Sequence, residues 1–134
     1  RINPYLRVIT MHYLFLIFFS LMVFARLHAD PDAKSKVEID HLFEYIKKSD
    51  VIFIRNGKEY PVDDAIKHIQ TKYNHFKNKI VTTEDFIDKS ATKSEMSGDV
   101  YQIKLKDNSK IESSKWLLAE LKTFREKQIP EEKK

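Results

Sequence analysis

The sequence contains no cysteine, and only two of its 134 residues are glycine and four are proline. Without cysteine there is neither a disulfide staple nor a thioether-linked lipid anchor, so a folded unit must be held by its apolar core. Two isolated glycines cannot build a phosphate-cradling loop, a strained nucleophile elbow or a collagen-type repeat. A real excess of one charge is missing as well. The formal net charge is +4, but Arg1, Arg7 and Arg26 lie in the first 29 residues, which hold no acid. Residues 30–134 carry 21 basic against 20 acidic side chains. So balanced a body has no electrostatic reason to bind nucleic acid. The length fits one domain.

The longest apolar run is Tyr13–Ala25, YLFLIFFSLMVFA, interrupted only by Ser20. Thirteen residues at about 1.5 Å of helical rise fall short of a hydrocarbon core about 30 Å thick. They match the apolar region of a secretory signal, with Arg1 and Arg7 as its positive flank and Leu27-His28-Ala29 as its cleavage tripeptide. Residues 1–29 are therefore expected to form a signal helix, with Met11 as the better start. An uncleaved anchor over Val8–Ala25 is the alternative. Either way the domain, residues 30–128, is expected outside the cytoplasm, periplasmic or secreted. The membrane is involved only if the segment stays attached. Residues 129–134 are expected to be a disordered charged tail.

Behind the leader the apolar pattern changes period repeatedly. Ile39, Leu42, Phe43 and Ile46 recur at helical spacing, and Val51–Ile54 then reads as a strand ending in Asn56-Gly57, a tight-hairpin signal. Pro61, Asp63 and Asp64 open a helix whose stripe runs Val62, Ala65, Ile66, Ile69, Tyr73, Phe76 and Ile80. Thr82 and Asp85 form a capping pair for a short helix. Tyr101, Ile103 and Leu105 alternate with polar residues as a half-buried strand, Asp107-Asn108 turns the chain, and Ile111 returns it. Ser113 or Ser114 is expected to cap the last helix, with Trp116, Leu117, Leu121 and Phe124 on its apolar face. The fold expected is α+β: two β-hairpins in one small antiparallel sheet, packed against three or four helices. A shift of 51 positions superposes the two halves as an αββα pseudo-repeat, aligning Arg55 with Lys106, Tyr60 with Ile111 and Tyr73 with Phe124.

Residues that carry chemistry are sparse. His68 and His75 stand seven apart on one helix, about 10 Å along its axis, too far for a single ion. Neither a metal nor a cofactor is called for. No Ser-His-Asp spacing marks a nucleophile, and adjacent acids such as Glu84-Asp85 are what a helix N-terminus favours, so no catalytic residue is assigned. Arg55 stands apart, between an apolar strand and a turn. Its guanidinium reaches either Glu84 or Asp85, as a structural ion pair, or an external anion near the sheet edge. Tyr60, Tyr73, Tyr101 and Trp116 read as core aromatics with hydrogen-bonded tips.

Several short motifs follow in fixed order: Phe53-Ile54-Arg55-Asn56-Gly57, then Ala65, His68, Lys72 and Tyr73, then Glu84-Asp85-Phe86-Ile87. The Ser94–Tyr101 segment around Ser97-Gly98 and Trp116-Leu117 with Leu121 and Arg125 complete the set. This arrangement, over Ile39–Arg125, resembles a family of small exported bacterial proteins known as domain of unknown function 5329. Glu95-Met96 stands where that family is richer in serine. The resemblance implies export and a shared fold, and no activity. The expectation is an exported envelope protein without enzymatic activity, an interaction or accessory module with a protein partner. The alternative is a module for a small ligand, peptide or glycan fragment, with Arg55, His68, Lys72, Ser97 and Tyr101 as contacts. A hydrolase is a distant third. A concave pocket lined by those residues would favour a ligand, and a flat apolar patch a protein partner.

Overall fold

The computed structural model describes residues 3–13 and 31–129. The apolar run beyond Tyr13, the cleavage tripeptide and residues 130–134 of the tail lie outside the described residues. Residues 4–13 are helical, α1. Among the described residues, no helix is long and apolar enough to cross a membrane.

The domain starts at Asp32, whose carboxylate accepts from the Ser35 amide (2.7 Å) and so caps helix α2, Ala33–Lys48. A hairpin follows, β1 (Ile52–Arg55) and β2 (Lys58–Tyr60). Its two-residue turn holds Asn56 at φ 51° and Gly57 at φ 73°, both left-handed, as a twist-matched type I′ turn requires. Helix α3, Val62–Phe76, runs on into a 3₁₀ turn at Lys77–Lys79. The Thr82–Asp85 pair forms a reciprocal capping box at the head of α4, Thr83–Ala91. The second hairpin, β3 (Gln102–Lys104) and β4 (Lys110–Glu112), leads directly into α5, Ser113–Gln128.

The four strands form one antiparallel sheet in the order β2-β1-β3-β4, with Phe53 opposite Ile103 at its centre. The sequence of elements, helix–strand–strand–helix, occurs twice, and the halves meet along the β1–β3 seam. The displacement between them is not uniform. Phe53 corresponds to Ile103, a shift of 50, whereas Tyr60 and Ile111, their hairpin partners, differ by 51. The extra residue sits in the second turn, where the Asn108 amide donates to Leu105 and Asn108 adopts φ 65°. That is a three-residue loop with a left-handed bulge, in contrast to the two-residue turn of the first hairpin.

Strand side chains alternate between two faces. Phe53 and Ile103 point into the core, joined by Ile39, Leu42 and Ile46 of α2, Ala65 and Ile69 of α3, Phe86, Ile87 and Ala91 of α4, and Leu117 and Leu121 of α5. On the opposite face Glu59 and Lys104 form an ion pair that spans β1, and Ile54 beneath it is only 9% exposed. One polar network crosses the helical layer. Arg125 of α5 makes a two-pronged contact with buried Glu38 of α2 (both 2.8 Å) and reaches Glu84 of α4, while the Thr83 hydroxyl also donates to Glu38.

Candidate functional site

The sheet register builds the site. Arg55 follows Phe53 by two residues and so shares its inward face. Continuing the Ile54–Gln102 register one step places Tyr101 opposite Arg55. Tyr60, opposite Phe53, completes this face, and Arg55 lies 5.3 Å from its ring centroid. Helix α3 lies over this end of the sheet. Its Ala65, His68, Ile69 and Lys72 fall at i, i+3, i+4 and i+7, a single stripe turned toward the strands.

Contacts among these side chains are short. Arg55 Nη1 lies 2.7 Å from His68 Nδ1 and 3.1 Å from Nε2, and Nε2 lies 3.0 Å from the Tyr101 hydroxyl. Burial, and then the positive charges of Arg55 and Lys72, hold His68 below the usual histidine range. Burial pushes the Tyr101 phenol up. Lys72 is only 8% exposed, and its ammonium donates to the Lys93 carbonyl (2.6 Å), pairs with Glu95 (3.6 Å) and lies 5.1 Å from the Tyr101 ring centroid. Burial lowers its pKa, and Glu95 opposes that shift.

These groups wall an apolar cavity of about 140 Å³, lined by Phe53, Ile54, Arg55, Tyr60, Asp64, Ala65, His68, Ile69, Tyr101 and Ser113. Two polar atoms in its wall are sealed and unpartnered: Arg55 Nε and the hydroxyl of Ser113. Across Arg55, His68 and Tyr101 an open groove continues past Asn56, Thr71, His75, Phe76 and Met96. Met96 is 99% exposed.

The structure therefore brings together Arg55, His68 and Tyr101, with Lys72 behind them as the post that fastens the 93–95 segment to α3. Ser97 is not among them. Its hydroxyl donates to Asn56 Oδ1 (2.8 Å), tying its loop to the hairpin turn at the surface. The expected ion pair of Arg55 with Glu84 or Asp85 is absent. Glu84 is taken by Arg125 of α5, and Asp85 is held in the cap of its own helix by the Val81 and Thr82 amides. Ser113 also differs from expectation. Glu112 holds the cap position, no side chain caps α5, and Ser113 becomes its first residue with its hydroxyl buried and unpartnered. Nothing in the sequence signals that, since a serine before an apolar run looks the same in either place. The inward turn of His68 and Lys72 was legible in their spacing from Ala65 and Ile69. Among the described residues no group of three or more metal-ligating side chains assembles.

Comparison with known proteins yields the same family that the motifs resemble. The model of a family of unknown function, DUF5329, matches residues 33–125. The uncharacterised protein YfeK of Salmonella typhimurium (strain LT2) is 32% identical over 82 residues, which cover 61% of this chain and 66% of that protein. The match thus spans just under two-thirds of the relative's length. No solved structure gives a significant match.

Proposed function

The chain belongs to the DUF5329 family, and from that premise we propose that it is an exported binding module whose pocket beside Arg55 holds a small ligand. The observation that carries the reading is the cavity itself. It is concave and apolar, and Arg55, His68, Tyr101 and Ser113 are the polar residues among its lining, the usual make-up of a ligand site. A protein partner has weaker support, an open groove by Val37, Phe124 and Ile129.

Export rests on the Tyr13–Ala25 run and its flanks. Expressing the whole chain in a bacterium and fractionating the cells tests it. The expected product is an envelope species beginning at Asp30, and an unprocessed cytosolic product contradicts the location. Ligand binding is tested by amide NMR during a titration with small organic fragments. Shifts should concentrate on β1, the first half of α3 and Tyr101. Fragments that move no amide in this region would sink the binding reading.

A further inference from the structure

Arg55 differs from the other shielded cations of the domain. Among the described residues, each of the other lysine and arginine side chains at least partly withdrawn from solvent has a carboxylate within ion-pair distance. Arg125 has Glu38 and Glu84, Lys72 has Glu95, Lys104 has Glu59 and Lys89 has Asp88. Arg55 has none, although its Nε is sealed from water. Its partners are the neutral ring of His68 and the face of Tyr60. Asp64 also borders the cavity, but it is exposed and makes no ion pair with Arg55. A withdrawn guanidinium without a counter-charge is costly, and the cost is relieved when an anion binds beside it.

Shape and donors narrow the anion. Arg55 lines the cavity and brings to it a guanidinium that no carboxylate offsets. The planar fork of arginine fits a carboxylate. The rest of the cavity is apolar, with Phe53, Ala65 and Ile69, and its 140 Å³ approaches the roughly 150 Å³ void known to take up benzene. We infer, building on the binding reading above, that the ligand is a monocarboxylate bearing one compact apolar group. Its ring or branched chain enters the cavity and its carboxylate meets the Arg55 guanidinium. Such a group occurs in a free organic acid and at the C-terminal residue of a peptide, for which the adjoining groove leaves room.

Calorimetric titration of the protein as purified from the producing cell tests this. The probes are benzoate, benzamide, and acetyl-Ala-Ala-Phe with a free or an amidated C-terminus. Benzoate should bind at least about tenfold tighter than benzamide, the scale of one charge-assisted hydrogen bond. Arg55→Met should erase that preference. Circular dichroism should show the fold of Arg55→Met intact. Equal binding of benzoate and benzamide, or a preference that survives Arg55→Met, overturns the carboxylate assignment and leaves the pocket reading standing. Failure of all four probes overturns both. A free-acid peptide that outbinds benzoate identifies a chain terminus as the source, and the reverse order identifies a small acid.

Discussion

Glu38 is 3% exposed, a carboxylate placed among apolar neighbours and held there by Arg125 and Thr83. The hydrogen bonds from Arg125 keep it below the usual glutamate range, against the opposing effect of burial. A carboxylate depressed in the folded state lends stability above its unfolded value, and loses it as pH falls through the lowered one. The domain should therefore weaken on acidification below about pH 4.3, the usual glutamate value, with Glu84 acting in the same direction. Arg125→Ala is expected to cost about 2 kcal/mol in urea unfolding at pH 7, less than a fully sealed pair because the arginine is partly exposed. A loss within 0.5 kcal/mol would show that the network is marginal. His68 offers a second check at this scale. Nitrogen-15 NMR should show a titration below the ordinary value of about 6.5. The position of Glu38 was readable, since it precedes Leu42 by four on the apolar stripe. Its partner was not, because Arg125 is 87 residues away and no local pattern joins them.

At the scale of elements, the signals that held were those whose physics is local. Asn56-Gly57 and the Thr82–Asp85 box depend on the backbone of two to four residues, and both form as expected. Gly57→Ala should destabilise by about 1 kcal/mol through its left-handed backbone alone, because a methyl group there meets open space. Thr82→Ala should cost about 1 kcal/mol and raise amide exchange in the first turn of α4. Unchanged melting in both variants would contradict the local account. The failures at this scale were of placement. The expected Arg55 ion pair fails because Glu84 pairs with Arg125 of α5 and Asp85 caps its own helix. Ser113 was read as a cap, and a one-residue shift of the helix start turned its hydroxyl inward.

As a whole, the molecule is two hairpins joined edge to edge, with α2–α5 packed on one face. That much was legible, since alternation in strands and helical stripes set both hairpins and their order. The seam was not, because β1 and β3 are separated by 46 residues of chain and pair through register alone. A fragment of residues 31–129 should unfold in one cooperative step at the midpoint of the longer chain, since its core uses no residue of α1. A broad transition would mean that the leader contributes to the globule. The pocket is a property of this scale too, since β1, α3, β3 and α5 meet around it. A crystal structure with benzoate is the most direct measurement of the central claim. The account predicts a ring between Phe53, Ala65 and Ile69 with its carboxylate about 3 Å from the Arg55 guanidinium. A benzoate bound elsewhere, or a cavity that stays unoccupied at saturating acid, contradicts it.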